Sequence, residues 1–314
     1  MSENDYSTHT IIRYNQAITS IRRIYEDTFK KQIKLPEDLD SDCDKIIEML
    51  KPNYELPTII NFISAILWYL SNITDTNYSD SYIHMIKDKY KTYGKTIKET
   101  IERSKIGKEF TLTEREKKTF MKWEDVMKFH QYLFKLLDKS NYNNFIEFVI
   151  VSLYVLHPPT RADYANMRVF IDDSQIPSNY SDNYCVLQTN PRFVFNKYKN
   201  VKYKGTNVVS IEPELHDILL DWMEVNKSDY LLSSYFKSKK EYNVYSEGTL
   251  CRRISVIFQK YTNIPVSINS LRHSFISYMS KQEMENYSKK QDLADKMMHT
   301  TSMAEKYRRM VYLS

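Results

Sequence analysis

The chain has 314 residues, of which 42% are hydrophobic and 27% charged, and it carries a formal net charge of +5. That length fits two domains of about 100 to 200 residues, and the hydrophobic content excludes a chain that is disordered throughout. No uncharged apolar run reaches the ~20 residues that a membrane helix needs, and the first residues do not resemble a secretory signal. We therefore expect an intracellular protein that is not secreted, has no membrane partner and is basic enough to bind a polyanion.

The N-terminal third is predicted to be a small helical bundle. Apolar residues recur three or four positions apart along its segments, which places them on one face of each helix. The predicted helices span residues 8–29, 38–50, 61–73 and 81–104, and the last is strongly basic. The polar stretch 105–121 lacks this periodicity, so we place the domain boundary there and predict domains at 1–110 and 111–314.

The second domain is predicted to be helical with one small sheet. Its predicted helices span residues 123–137, 143–157, 214–225 and 249–261, and helical spacing continues to the C-terminus. Three short β-prone runs, YCVLQ, RFVF and NVVSI, lie between residues 184 and 211 and are separated by Asn, Pro and Gly. The whole chain is therefore predicted to be mainly α with a small antiparallel β-sheet.

Three groups of residues in the second domain contain side chains that could take part in catalysis. Arg161 follows a Pro-Pro turn after an apolar helix, in HPPTRADYANM, and precedes a segment predicted to be helical. Arg272 and His273 lie in the apolar helix SINSLRHSFISYM, where a buried charge is costly unless it has a partner or faces a cleft. His299 stands eight residues before Tyr307, in MMHTTSMAEKYRRM. A lysine-rich run, NKYKNVKYKGT, follows the second β-prone run.

In their order along the chain, these groups resemble the active-site pattern of tyrosine recombinases and integrases. That pattern is an Arg after a hydrophobic helix, a Lys on a β-hairpin, a His-x-x-Arg, and a His followed about nine residues later by Tyr. The resemblance covers residues 123–314, and Leu-Arg-His-Ser-Phe is its most specific part. The first group is most similar to those of recombinases from large DNA viruses and related mobile elements.

The resemblance implies an enzyme that uses neither a metal nor a cofactor. Tyr307 would attack a DNA phosphodiester, and Arg161, Arg272 and His299 would donate hydrogen bonds to the charged phosphorane that forms. A hairpin lysine would protonate the departing 5′-oxygen. Asn269 occupies the place where the family usually has the first His of His-x-x-Arg, and it can donate a hydrogen bond but cannot carry a proton.

The choice of hairpin lysine stays open at the sequence level. Related sequences often carry Lys followed by Thr at the turn, and Lys199-Asn200 fits that place best. Lys197 and Lys202 are the main alternatives. A basic run of this kind is also typical of a solvated hairpin surface or a phosphate-binding strip.

The resemblance also implies the reaction and the partners. The expected protein is a site-specific recombinase or integrase that cleaves and rejoins double-stranded DNA as a homotetramer on two duplexes. The domain at 1–110 would clamp DNA from one side and the domain at 111–314 from the other, in the host nucleus or cytoplasm. Two alternatives remain: a type IB DNA topoisomerase, which works as a monomer, and a DNA-binding relative without catalysis, for which Asn269 is the only hint.

Overall fold

The computed structural model describes residues 6, 8–74, 77–105, 111–236, 238–282 and 293–298. The chain divides into two compact units, residues 1–109 and residues 110–314, and each has its own hydrophobic core. Among the described helices, none is long and apolar enough to cross a membrane. The described residues also contain no group of three or more His, Cys, Asp or Glu side chains that could hold a metal ion.

The first unit is a helical bundle. Its helices are α1 (Thr8–Phe29), α2 (Glu37–Ser41), α3 (Cys43–Leu50), α4 (Leu56–Ser71) and α5 (Asp80–Lys105). The apolar helix α4 packs against both α1 and α5, which explains why it contains no charged residue. The sequence predicted one helix at 38–50, and this prediction is wrong because α2 ends before Asp42 and α3 begins after it.

Asp42 interrupts that helix because its side chain turns into the core. The carboxylate accepts hydrogen bonds from Lys45 Nζ at 2.8 Å, from the hydroxyl of Tyr25 on α1, and from Lys31 Nζ at 3.2 Å. The hydrogen bond from Lys45, followed by those from the other two donors, holds the pKa of Asp42 well below its usual range. A single buried charge therefore joins three segments of the first unit.

The second unit is built around a buried helix. Its helices are α6 (Glu114–Lys117), α7 (Trp123–Lys135), α8 (Tyr142–Val155), α9 (Val201–Lys204), α10 (Pro213–Val225), α11 (Glu247–Thr262) and α12 (Ile268–Gln282). Helix α8 contacts α7, α10 and α11, so residues on nearly all of its faces are buried. Its N-terminus is capped by Asn141, whose side-chain oxygen accepts from two backbone N–H groups of the first turn.

A small sheet lies beside these helices. Its strands are β1 (Arg168–Phe170), β2 (Tyr184–Val186), β3 (Arg192–Phe195) and β4 (Asn207–Ser210), in that order. Strands β2, β3 and β4 are antiparallel, as the β-prone runs predicted, whereas β1 pairs with β2 in parallel. The mainly helical fold with a small sheet is therefore confirmed, with one parallel pair that the sequence did not predict.

Two features of the second unit were not predicted. A separate hairpin is formed by β5 (Ser233–Phe236) and β6 (Glu241–Val244). The segment after Arg161 was predicted to be helical, and that prediction is wrong because turns lead from Arg161 into β1. These turns are fixed by contacts with residues far away in the sequence, among them a hydrogen bond from the backbone N–H of Asn166 to the carbonyl oxygen of Tyr245.

His130 is a buried ring within the second unit. It stacks on Phe148 with ring centroids 5.1 Å apart, and its Nε2 lies 2.9 Å from the hydroxyl oxygen of Ser152. Burial lowers the pKa of His130 to about 4, so the folded protein holds a neutral ring at neutral pH.

We expect His130 to make folding stability depend on pH. The ring titrates near 6.5 in the unfolded chain and near 4 in the folded one, so the unfolded state takes up a proton first and stability falls as the pH decreases through this window. Between about pH 7 and about pH 4.5 this titration should cost the wild-type protein about 2 kcal/mol of stability, at about 1.4 kcal/mol per pKa unit, and His130→Phe should not show that loss. Urea unfolding of both proteins at about pH 7 and about pH 4.5 measures the difference.

Gln131→Ala gives the control, because this exposed neighbour of His130 has no titratable group and its replacement should leave the pH dependence as in the wild-type protein. An equal loss of stability in wild-type protein and His130→Phe would contradict the assignment.

Candidate functional site

Hydrogen bonds to its backbone fix the position of Arg161. Its carbonyl oxygen accepts hydrogen bonds from the hydroxyl groups of Tyr154, at 2.7 Å, and Thr160, at 3.1 Å. Its backbone N–H donates to the carboxylate of Asp163 at 2.9 Å. Tyr154 belongs to α8, so the buried helix fixes the turn that carries Arg161. The side chain itself is partly exposed and can reach a ligand.

Arg272 lies in the second turn of α12 and is completely buried. The hydroxyl of Ser267 accepts a hydrogen bond from the backbone N–H of Ser270 at 3.1 Å and so caps the start of this helix. Arg272 Nη1 donates to the carbonyl oxygen of Pro159 at 2.7 Å. This contact ties α12 to the turn that carries Arg161. Hydrogen bonds of this kind offset part of the cost of burying a charge.

Asp163 lies in the turn that carries Arg161 and that Arg272 contacts through Pro159. Burial raises the pKa of Asp163 to about 6, while the backbone N–H of Arg161 and the positive charges of Arg272 and Arg161 act in the opposite direction. Charges influence each other strongly only over short distances. The contact of Arg272 with Pro159, two residues before Arg161, brings these predicted residues to one turn, and Asp163 holds the backbone of Arg161 there.

The lysine-rich run forms a loop between β3 and β4, and we call residues 196–206 the lysine loop. Its base is bound by the buried side chain of Asn183, which precedes β2. Asn183 Oδ1 accepts from the backbone N–H of Lys197 at 2.7 Å, and Nδ2 donates to the carbonyl oxygens of Lys197, at 2.9 Å, and Asp163, at 3.0 Å. One amide therefore joins the lysine loop to the Arg161 turn.

The far side of the lysine loop is bound to residues 293–298. Asn200 Nδ2 donates to the carbonyl oxygen of Met298 at 3.1 Å, and Lys204 forms an ion pair with Asp295. Just beyond the loop, Asn207 Nδ2 donates to the carbonyl oxygen of Asp295 at 3.1 Å. Because Met298 is followed directly by residue 299, these contacts connect the lysine loop to the start of the third predicted group.

The four lysines of the loop are not equivalent. Lys197 pairs with Asp182 and Lys204 with Asp295. Lys199 and Lys202 are exposed, and neither makes an ion pair within the described part of the chain. Of the three candidates for the functional lysine, Lys197 is thus already engaged, whereas Lys199 and Lys202 are available to a ligand.

The other predicted site residues have different positions. Asn269 is exposed on α12, one turn before Arg272 and on the same side of the helix. His273 lies 3.5 Å from the carboxylate of Glu116 on α6, so it helps to attach the segment before α7 to α12. His299 and Tyr307 lie outside the described residues.

Sequence reasoning did not find Asn183, Asn200 or Asp295. In the sequence, Asn183 and Asp295 are isolated polar residues that no spacing or motif marks, and Asn200 was considered only as the neighbour of Lys199. Their contacts join positions 14 to 98 residues apart in the chain, which local patterns do not encode.

No protein-family model matches this sequence, and no curated protein does. Among solved structures, a crystal structure of XerA recombinase aligns with 99% of this chain and 90% of that chain, at 13% identity and a TM-score of 0.42. A likeness at this level carries no information about activity, so function is inferred from the residues of this chain.

Asn183→Ala should loosen the lysine loop while leaving the second unit folded. The substitution removes three partly buried hydrogen bonds, and leaving their backbone groups without this partner costs about 1 to 3 kcal/mol. Amide hydrogen exchange should become faster across the lysine loop, first at the N–H of Lys197. Asn143→Ala is the matched control, because Asn143 is an exposed residue of α8. Unchanged exchange in the loop of Asn183→Ala would show that the amide does not hold it.

Proposed function

We propose that this protein is a site-specific DNA recombinase or integrase that breaks and rejoins DNA strands through a 3′-phosphotyrosyl intermediate at Tyr307. The observation that carries the proposal is the hydrogen bond from Arg272 to Pro159 in the turn that carries Arg161, with Asn183 binding the lysine loop to the same turn. Two arginines and a lysine-bearing loop at one place are the donors that a phosphodiester requires when no metal ion balances its charge.

The proposed reaction exchanges one ester for another. The hydroxyl of Tyr307 gives up its proton to His299 or to water and its oxygen bonds to the phosphorus. The bond from phosphorus to the 5′-oxygen breaks, and the 5′-oxygen takes up a proton. The energy of the cleaved bond is kept in the phosphotyrosyl ester, so a 5′-hydroxyl can reverse the step and join a new strand. Arg161 and Arg272 stabilise the phosphorane because guanidinium groups donate paired hydrogen bonds to phosphate oxygens.

The remaining roles are distributed among three residues. We assign the proton for the 5′-oxygen to Lys199, which is exposed and has no ion-pair partner among the described residues. His299 donates to another phosphate oxygen or carries a proton. Asn269 offers a hydrogen bond beside Arg272, in the place that a histidine occupies in the family pattern.

The proposed partner is double-stranded DNA, bound by a homotetramer that holds two duplexes. The first unit would contribute phosphate contacts through α5, whose exposed lysines include Lys95 and Lys98. Sedimentation with DNA separates this proposal from a type IB topoisomerase, which would stay monomeric on one duplex. A covalent protein–DNA adduct that survives denaturation separates it from a DNA-binding relative without catalysis.

Tyr307→Phe should abolish covalent chemistry while preserving DNA affinity, because it removes only the attacking oxygen. A duplex with a nick near the cleaved phosphate releases its short 5′-hydroxyl strand and traps the wild-type protein as a 3′-phosphotyrosyl adduct. Denaturing gel electrophoresis measures the adduct, and a chelator should not reduce it because the proposed donors are side chains.

Tyr312→Phe is the matched control and should form adduct at the wild-type level. Adduct formation by Tyr307→Phe, or a linked peptide that maps to Tyr312, would refute the role of Tyr307.

Lys199→Ala should slow cleavage by about 10²- to 10⁴-fold, the usual contribution of a positioned general acid, while DNA binding changes little. A substrate with sulfur in place of the 5′-oxygen has a leaving group that needs no proton, so it should restore the rate. Lys202→Ala, which removes the other unpaired lysine of the loop, should cleave at a normal rate on saturating DNA. Failure of the sulfur substrate to rescue Lys199→Ala, or rescue of Lys202→Ala instead, would overturn the choice of Lys199.

A further inference from the structure

The lysine loop presents two sets of side chains. One set binds the loop to the protein: Lys197 pairs with Asp182, Lys204 pairs with Asp295, and the hydroxyl of Tyr198 donates to the carbonyl oxygen of Gly205 at 2.8 Å. The other set consists of Lys199, Lys202 and Tyr203, which point to solvent. We call these three residues the loop tip.

Tyr203 is 90% exposed, the largest value among the exposed large hydrophobic residues of the described chain. Within the described residues, its ring contacts no other ring and its hydroxyl makes no hydrogen bond. The backbone around it is regular, since Tyr203 lies in α9 and its N–H donates to the carbonyl oxygen of Asn200 at 3.0 Å. The ring is therefore exposed because this ordered turn directs it into solvent.

The charge around Tyr203 indicates what could cover it. Lys202 precedes Tyr203 directly and Lys199 lies four residues before it. Neither lysine has an ion-pair partner in the described part of the chain, so the loop tip combines two uncompensated positive charges with an exposed ring. Nucleic acid matches both features, because its phosphates are negative and its bases offer π faces. Stacking of a base on an aromatic side chain contributes about 1 to 3 kcal/mol.

The loop tip is also held in place before any ligand arrives. The contacts of Asn183, Asn200 and Lys204 attach the loop at its base and at its far side. A surface that is ordered in advance loses little conformational entropy on binding. The same geometry limits where the ring can act: the Cα atoms of Lys199 and Tyr203 are at most about 14 Å apart, which corresponds to about four nucleotide steps.

We propose that Tyr203 stacks on a DNA base within a few nucleotides of the cleaved phosphate, at the point where the strand is interrupted, while Lys202 binds a neighbouring phosphate. This inference rests on the proposed function for the position of the cut, and it adds a base-contacting residue to it. In intact duplex the base faces are covered by their neighbours, so the ring gains its contact when the strand opens.

Fluorescence anisotropy with a short random-sequence duplex, either intact or with a one-nucleotide gap, tests the stacking. Tyr203→Ala should weaken binding to the gapped duplex by about 5- to 100-fold, as the stacking energy requires, and affect the intact duplex less. Tyr203→Phe should bind like the wild-type protein because it keeps the ring. Tyr132→Ala, which removes another exposed tyrosine of the same unit, should have no effect.

The lysines are tested by the salt dependence of the same binding. Lys202→Ala should lower the slope of log affinity against log salt by about 1 on both duplexes, since phosphates are present in each.

Equal thermal unfolding of the variants shows that they are folded. Wild-type affinity of Tyr203→Ala for the gapped duplex would overturn the proposal, and so would an equal loss in Tyr203→Phe, which would point to the hydroxyl group.

The outcomes also separate this inference from the proposed function. Adduct formation by the wild-type protein together with normal DNA binding by Tyr203→Ala would overturn the inference alone. Absence of any adduct, with weakened gapped-duplex binding by Tyr203→Ala, would overturn the recombinase proposal and leave a base-stacking DNA contact in place.

Discussion

The second unit depends on the burial of one positive charge. Arg272 has no exposed surface, and moving an ion from water into a protein interior costs several kcal/mol unless its hydrogen-bonding groups are satisfied. Arg272 Nη1 donates to the carbonyl oxygen of Pro159, and the charge of Arg272 acts favourably on the carboxylate of Asp163. Because both belong to the turn after α8, α12 can pack in its place only when this turn is formed.

Asp163 connects this constraint to the rest of the site. Its carboxylate accepts a hydrogen bond from the backbone N–H of Arg161, and its carbonyl oxygen accepts one from Asn183 Nδ2. The positive charges of both arginines lower its pKa against the effect of burial. The turn and the lysine loop are thus positioned through Asp163, and α12 joins the same turn through Pro159. In the first unit, a carboxylate also joins separate segments: the buried side chain of Asp42 connects α1 and α3 through charge-assisted hydrogen bonds.

The lysine loop shows how a basic segment can serve structure and ligand binding together. Ion pairs to Asp182 and Asp295 use two of its lysines to fix the backbone. Partly exposed pairs of this kind contribute little energy individually, but here they act together with the amides of Asn183 and Asn200. The remaining lysines and Tyr203 can then face a polyanion from an ordered loop, which a free lysine-rich segment would do only at a larger entropic cost.

By itself, the sequence determined the secondary structure wherever one face of an element is apolar, because that periodicity is local: α1 spans the predicted residues 8–29, and β3 coincides with RFVF. It also determined the order of the proposed site residues. Only the tertiary structure decided that the helix predicted at 38–50 breaks at Asp42, that turns follow Arg161, and that Lys204 is paired while Lys199 is exposed. The physical reason is that the partners responsible, such as Tyr25 for Asp42 and Asp295 for Lys204, lie 17 and 91 residues away in the chain and meet only after folding.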